Sequence, residues 1–143
     1  IFSADAAFAA LRSDGTVITW GHRVGGGDSG TVADKITEKN SADWVEVNNV
    51  VSANYAFAAL RADGTVITWG YHDFGGDSRK VADKITNKKK SDWIKVNELF
   101  STDTAFAALR DDGSVVTWGS SVGGGDSSLV ALMITVPRNA SAI

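Results

Sequence analysis

The stretch Ala7-Phe-Ala-Ala-Leu-Arg-Ser-Asp-Gly-Thr-Val-Ile-Thr-Trp-Gly21 decides the fold, because nearly the same residues return at 56–70 and again at 105–119. In each copy an Asp-Gly pair separates two mainly apolar runs. Asp-Gly between such runs is typical of a two-residue β-hairpin turn, whose two central residues both need positive φ. Each copy is therefore predicted to form a β-hairpin with its turn at Asp14-Gly15 or the equivalent pair.

The turn fixes which residues of the two strands face each other. The predicted cross-strand pairs are Leu11 with Ile18, Ala9 with Trp20, Arg12 with Val17, and Ala10 with Thr19. Both faces of this hairpin are largely apolar, whereas a sheet with one wet face alternates apolar and polar residues. The pattern predicts that other layers pack on both faces of each hairpin.

The whole chain repeats with a period of 49 residues. Residues 1–49 and 50–98 are identical at 31 of 49 positions, which indicates a tandem duplication of one structural unit. We divide the 143 residues into one repeat domain of three units, 1–49, 50–98 and 99–143. The third unit departs from the pattern after residue 128 and is either incomplete or a cap.

Each unit is predicted to contain the same elements in the same order. A strand opens the unit, at 1–4, 50–53 or 99–102, and the hairpin and a Gly-Gly-Asp-Ser turn follow it. Val-Ala-Asp-Lys-Ile at 32–36 and 81–85 predicts a short helical turn. An alternating Asp-Trp segment then predicts a strand that runs into the next unit.

The spacing of Ala-Leu, Asp-Gly, Thr-Val and Thr-Trp-Gly in these units resembles the repeat of the regulator of chromosome condensation family. This resemblance implies that each unit is a blade of a β-propeller, although complete members carry about seven blades and this chain has three units. The Gly-Gly-Asp-Ser turn is more similar to variant repeats in long tandem arrays of bacterial surface proteins. The family's nucleotide-exchange wedge and the Gly-Trp-Arg-His-Thr motif of plant ultraviolet receptors have no counterpart here, so neither activity is implied.

We therefore predict an all-β, propeller-like array of three blades of about 49 residues. A β-trefoil is the alternative, because that closed fold is built from three repeated units. Trefoil units expose much of each hairpin's outer face, however, and here both faces are apolar.

Composition excludes several classes of function. A net charge of -3 argues against nucleic acid as a partner, and no run is long and apolar enough for membrane insertion. The absence of cysteine excludes disulfides, thiolate metal sites and cysteine nucleophiles. The composition does not encode the localisation, while the similarity to surface arrays favours an extracellular or cell-surface location.

Three aspartates recur in the glycine-rich turns, at Asp28, Asp77 and Asp126. Calcium needs six to eight oxygen ligands, and one carboxylate per turn supplies too few. Capping of the short helical piece that follows is the favoured interpretation. No metal site and no cofactor are expected.

The two histidines give no support to catalysis, because His22 aligns with Tyr71 and His72 aligns with Arg23. A repeated acid-base or metal site is therefore not expected, and no Ser-His-Asp set follows from two scattered imidazoles. The chain is predicted not to be an enzyme.

Five tryptophans fall into two groups. Trp20, Trp69 and Trp118 lie in the hairpins opposite alanines and are expected to pack between blades. Trp44 and Trp93 follow a variable polar loop, and if any tryptophan contacts a ligand, these two are the first candidates.

A partner is predicted to bind the segments that differ between units, because binding residues usually lie on loops that a constant framework positions. These segments are 4–6, 22–25 and 38–42 with their counterparts. We expect a non-enzymatic module that binds a protein partner or belongs to a larger assembly, as an interaction or structural scaffold. Carbohydrate binding is the alternative, with a glycan as the ligand. The candidate binding residues are His22, Arg23, Tyr55, Tyr71, His72, Trp44 and Trp93.

Three blades form an arc with two open ends. Apolar residues such as Phe2, Phe8 and Ala10 are then expected to be uncovered on the first blade, which soluble monomers seldom tolerate. The candidates to cover the ends are a second copy that completes a six-blade ring, further repeats, or other subunits of a larger assembly. The expectation is that the chain is a piece of, or a subunit within, something larger.

Overall fold

The computed structural model describes residues 1–134 and contains three antiparallel, three-stranded sheets, one per repeat. Each sheet pairs its strands in chain order, and a single helical turn follows each hairpin. The strands are β1 (Phe2–Ser3), β2 (Ala7–Leu11), β3 (Val17–Gly21), β4 (Val47–Ser52), β5 (Ala56–Arg61), β6 (Val66–Gly70), β7 (Val96–Ser101), β8 (Ala105–Arg110) and β9 (Val115–Gly119). The helical turns are α1 (Ala33–Ile36), α2 (Ala82–Ile85) and α3 (Ala131–Ile134).

The hairpins are confirmed, but the predicted two-residue turn and its register are wrong. The loop has three residues: the Gly15 N–H donates to Arg12 O at 3.0 Å, and the Arg12 N–H donates to Thr16 O at 2.8 Å. Gly15 has φ +81° and Asp14 does not have positive φ, so the glycine forms a bulge after an ordinary turn. Asp14 instead accepts hydrogen bonds from the Thr16 N–H and hydroxyl.

The extra loop residue shifts the whole register by one. The observed pairs in the first hairpin are Leu11 with Val17, Ala10 with Ile18, Ala9 with Thr19, and Phe8 with Trp20. Each hairpin tryptophan therefore faces a phenylalanine, not an alanine. The two rings stack in all three sheets, with centroids 5.3 Å apart in the first, 5.4 Å in the second and 5.5 Å in the third.

The three sheets stack face to face, as the two apolar faces predict. Between the first and second sheets, the alanines of β2 pack against Phe57 and Trp69. Ile36 of α1 belongs to the same buried cluster. The second and third sheets repeat this arrangement, with Phe106, Trp118 and Ile85 in the same roles. The second sheet is covered on both faces, so the β-trefoil alternative is wrong.

The other predicted elements agree with the structure in part. Helical turns follow the glycine-rich segments as predicted. A strand does cross the unit boundary, and it is β4, which begins at Val47. The Asp-Trp segment before it was expected to be part of that strand, and this is wrong, because residues 43–46 form a turn and an irregular stretch. The third unit's tail at 138–143 lies outside the described residues.

Candidate functional site

Two of the three variable segments of each unit meet at one end of the sheets. The His22 N–H donates to Ala6 O at 2.8 Å, and the second unit makes the same bond between Tyr71 and Tyr55. These bonds join the β1–β2 connection to the glycine-rich turn that follows β3. We call this end, formed by 4–6 and 22–27 with their counterparts 53–55, 71–76, 102–104 and 120–125, the loop edge.

Three aromatic side chains cluster on the loop edge of the second unit. The Phe74 ring lies 5.1 Å from the Tyr71 ring and 6.0 Å from the Tyr55 ring, between centroids. Both tyrosines are exposed to solvent in spite of these contacts. Tyr55 also reaches the neighbouring unit, because a Cβ added to Gly25 would lie 3.4 Å from its Cδ1.

The other two units have no such cluster. The positions equivalent to Tyr55, Tyr71 and Phe74 are Ala6, His22 and Gly25 in the first unit, and Thr104, Ser120 and Gly123 in the third. All three units nevertheless form the same sheet, and each turn is closed by the same backbone hydrogen bond, from the N–H of Gly27, Gly76 or Gly125 to the oxygen of the residue five positions before. Packing of the framework therefore does not require these aromatic rings.

A cleft of about 600 Å³ lies beside this cluster, between the loops of the first and second units. Its walls combine charged and apolar groups. Arg23 forms an exposed ion pair with Asp28 at 3.4 Å on one wall. The lining residues are Arg23, Val24, Asp28, Thr31, Gly70, Tyr71, His72 and Asp73. A second cleft of about 630 Å³ follows between the second and third units, and His72, Asp73 and Phe74 line it as well.

The structure brings five of the seven predicted site residues to the loop edge. Arg23, Tyr71 and His72 line the first cleft. Tyr55 lies in the aromatic cluster, and the Nδ1 atom of His22 accepts a hydrogen bond from the Gly25 N–H at 3.2 Å. His22 thus stabilises its own turn.

The recurring aspartates, which directly follow the loop edge, accept a backbone N–H at the start of the helical piece as expected, but they stand one residue before the N-cap, and the N-cap residues Ser29 and Ser78 make no side-chain cap hydrogen bond. The Oδ1 atom of Asp77 accepts the Arg79 N–H at 3.0 Å, and Asp28 and Asp126 accept the N–H group two residues further on. The Arg79 guanidinium also donates to both oxygens of Asp77, and these hydrogen bonds lower the pKa of Asp77 to about 2. Within residues 1–134, no group of three or more histidine, aspartate or glutamate side chains has the arrangement of a metal site.

Trp44 and Trp93 lie away from the loop edge. Their segment runs beside the hairpin turns at the opposite end, where Lys39 pairs with Asp14 at 3.8 Å and the Val47 N–H donates to Gly15 O. The Lys39 ammonium also lies 5.8 Å from the Trp44 ring centroid. Both indole nitrogens are buried and have no hydrogen-bond partner among the described residues. The two tryptophans therefore do not share a site with the five loop-edge residues.

The packing role predicted for the hairpin tryptophans holds for two of the three. Trp69 is 2% exposed and Trp118 is buried as well, each against the preceding sheet. Trp20 is 45% exposed, because no sheet in the described part of the chain covers the outer face of the first sheet. Phe8 is exposed on that face as predicted, whereas Phe2 packs against the core between the first two sheets.

Sequence reasoning did not single out Phe74 and Asp73 as site residues. Both lie in a segment that was predicted to be variable, since 71–74 aligns with 22–25. The available signal was the replacement of a glycine by phenylalanine at position 74, where the other two units have Gly25 and Gly123. A large apolar side chain in an otherwise small, polar turn is the feature to look for.

In residues 1–134, all helices are too short or too polar to cross a bilayer.

Comparison with known protein families gave no match, and comparison with curated protein sequences gave none. Solved structures do match. Human WBSCR16 is 18% identical with a TM-score of 0.51, over 83% of this chain and 33% of that chain. Prp20p from Saccharomyces cerevisiae, which is yeast RCC1, is 17% identical with a TM-score of 0.51, over 81% and 29%.

This chain therefore spans about a third of the length of the solved structures that it matches. At such low identity the likeness concerns the fold alone. Together with the three stacked sheets, it establishes an all-β, propeller-like array of three blades, each blade being one sheet with its helical turn.

Proposed function

We propose that this chain is a non-enzymatic scaffold module that binds a protein partner through its loop edge. The observation that carries the proposal is the cluster of Tyr55, Tyr71 and Phe74, which the framework does not need. Aromatic side chains dominate the binding energy of protein interfaces, where tyrosine gives a large contact area at a low cost in conformational entropy. An exposed aromatic cluster beside a cleft of about 600 Å³ fits this role.

The charges around the cluster favour a polypeptide partner. Arg23, Asp28 and Asp73 place both signs of charge at the rim, while Tyr71 and Val24 supply apolar surface. A polar rim around an aromatic centre is the usual composition of a protein interface. Among the solved structures with this fold, Prp20p is described together with its binding to Gsp1p and histones, which is a precedent for protein binding by the architecture.

The enzyme alternative has less support from the loop edge. His22 is engaged with its own turn through Gly25, and the aspartates that follow the turns accept the backbone N–H group two residues further on. These contacts give both residue types structural roles. A hydrolase assay of the chain, repeated after replacement of His22 and His72 by alanine, tests this alternative: an activity lost on that replacement would contradict the proposal.

Exchange of the cluster for its counterparts in the third unit tests the proposal directly. The variant Tyr55→Thr, Tyr71→Ser, Phe74→Gly carries residues that the same backbone accepts 49 positions later, so it should remain folded. A photo-crosslinking amino acid at Arg23, on the rim of the cleft, is expected to trap a discrete protein from an extract of the source organism. The purified partner should then bind the exchanged variant at least about thirtyfold more weakly, as loss of an aromatic centre predicts.

The opposite end of the molecule provides the matched control. The same photo-crosslinking group at Lys89, in the exposed polar loop, should not trap that protein, and Trp44→Ala should leave its affinity unchanged. Equal affinity of the exchanged variant and the original chain would contradict the proposal. Binding to a glycan array that is lost in Trp44→Ala would instead support the carbohydrate alternative, which the half-buried position of Trp44 does not favour.

A further inference from the structure

The outer face of the first blade has the same side chains that its two neighbours bury. Phe8, Ile18 and Trp20 are exposed there. The counterparts of these three residues are almost completely buried, at Phe57, Ile67 and Trp69 in the second blade and at Phe106, Val116 and Trp118 in the third. The first blade therefore presents one half of an interface that occurs twice inside the chain.

The first internal interface shows what this half binds. The Phe57 ring lies directly on Gly26 of the preceding blade, because a Cβ added there would lie 2.6 Å from the ring. The Trp69 indole N–H donates to Gly26 O at 3.1 Å. The first strands of the two sheets are also linked, because the Ser52 hydroxyl of β4 donates to Ser3 O of β1 at 2.7 Å.

The second internal interface repeats these contacts 49 residues later. The Trp118 indole N–H donates to Gly75 O at 3.1 Å, and the Ser101 hydroxyl donates to Ser52 O at 2.8 Å. Gly26 and Gly75 have φ of 107° and 100°, a conformation that turns their carbonyls toward the tryptophan of the next blade. The same contacts therefore form twice inside the chain, and we call this set of contacts, from tryptophan to glycine and from serine to serine, the joint.

The third blade presents the other half of this joint. Gly124 has φ +105°, like Gly26 and Gly75, but a Cβ added there would meet nothing closer than Thr102 Cγ2 at 4.0 Å. Ile134 is 41% exposed, whereas its counterparts Ile36 and Ile85 are 0% exposed beneath the next blade. The acceptor half of the joint is therefore formed and uncovered in the described part of the third blade.

We propose that a second copy of this chain docks head to tail, with Trp20 of one copy donating to Gly124 O of the other. Phe8 then lies on Gly124, and the Ser3 hydroxyl donates to Ser101 O of the other copy. Since the two exposed halves are complementary and not self-complementary, each copy uses both of its ends. Joined at both ends, two copies would form a ring of six blades, and propellers contain four to eight blades.

Measurement of the oligomeric state tests the proposal. The 143-residue chain is expected to sediment as a dimer at micromolar concentration and to dissociate on dilution. Trp20→Ala should weaken the dimer at least about thirtyfold and leave the far-ultraviolet circular dichroism unchanged, because Trp20 is a central aromatic of the proposed interface and is half exposed in the single chain. Ile134→Ser should weaken it from the other half of the joint.

Cysteine cross-linking reports the direction of docking, since the chain has no cysteine of its own. A mixture of the Ser3→Cys and Ser101→Cys variants, oxidised with copper phenanthroline, should give the mixed disulfide dimer in excess over either homodimer. The variant with Ser3→Cys and Ser52→Cys in one chain calibrates the reaction, because these positions are in contact across the internal joint.

Three outcomes would overturn the proposal. The first is a folded monomer throughout the micromolar range. The second is a preference for the Ser3→Cys homodimer, which would mean that two first blades meet face to face. The third is growth into open polymers, which would mean that the joint does not close after six blades.

Discussion

Arg61 donates from its guanidinium Nη1 to the backbone oxygen of Asp43 at 2.8 Å, and this bond ties the second hairpin to the segment that precedes its sheet. The Nε–H of Arg61 donates to the Thr65 hydroxyl at 2.8 Å, and the side chain is buried. Burial lowers the pKa of Arg61 from its ordinary value, yet a guanidinium remains protonated in proteins.

Replacement of Arg61 by alanine is therefore expected to destabilise the chain by about 2 kcal/mol or more, because the buried Arg61 side chain is lost together with its hydrogen bonds to the Asp43 carbonyl and to the buried Thr65 hydroxyl. Arg12 occupies the same position in the first unit, where it is exposed and pairs with Asp14 at 3.6 Å. Arg12→Ala should cost less than about 1 kcal/mol. Urea unfolding of both variants measures the difference, and equal costs would contradict the role given to Arg61.

The glycine of the hairpin turn is expected to resist substitution. Gly64 has φ +83°, and a Cβ there would overlap the side chain of Lys95. Gly64→Ala should therefore lower the free energy of unfolding by about 1 kcal/mol or more. Gly25→Ala is the control, because Gly25 does not have positive φ and Phe74 occupies the equivalent position. A melting temperature of Gly64→Ala equal to that of the original chain would show that the turn is wrongly described.

The hairpin tryptophans should differ in their contribution to stability. Trp69→Ala removes a buried ring stacked on Phe57 and is expected to cost about 3 to 5 kcal/mol. Trp20→Ala, measured at a protein concentration low enough to exclude association, should cost about 1 kcal/mol, since Trp20 is half exposed. Thermal unfolding followed by circular dichroism compares the two. A small cost at Trp69, accompanied by loss of binding, would indicate a ligand contact and not a core residue.

Acid should destabilise the chain through Asp77. Its hydrogen bonds with Arg79 lower its pKa to about 2 from the ordinary 3.8, so the unfolded chain binds more protons between these values. The stabilisation is complete above about pH 4 and is lost as the pH falls through 2. The side chain of Arg79 is largely exposed, which limits the effect to about 1 kcal/mol.

In Asp77→Asn, the free energy of unfolding is expected to depend less on pH than in the original chain, as measured by urea unfolding at pH 2 to 5. Asp5→Asn is the matched control, because asparagine already stands at the equivalent position 54. An identical slope for Asp77→Asn and the original chain would refute the assignment.

The fold was predictable because its evidence is periodic. A repeat of 49 residues with two apolar faces per hairpin requires stacked sheets, and the structure has them. The register was not predictable from Asp14-Gly15 alone, since the same pair suits a two-residue turn and a three-residue loop with a glycine bulge. The hydrogen bonds of Arg12 with Gly15 and Thr16, together with the φ of Asp14, which is not positive, distinguish the two.

The common location of Tyr55, Tyr71 and His72 was predictable, because it depends on differences between the repeats. The location of Trp44 and Trp93 at the opposite end was not, because a position in the unit does not tell at which end of the sheet a segment lies. The path of the chain alongside the hairpin turns decides that, through contacts such as the bond from Val47 to Gly15.

The joint between Trp69 and Gly26 allows the number of blades in such an array to change. Since Trp118 meets Gly75 in the same way, a chain that lacks residues 50–98 would bring Trp118 directly to Gly26 and need no new contact. Unequal recombination between the coding segments of the units would therefore produce longer and shorter arrays whose blades still fit together, so that the number of blades can vary while each blade keeps its own loops.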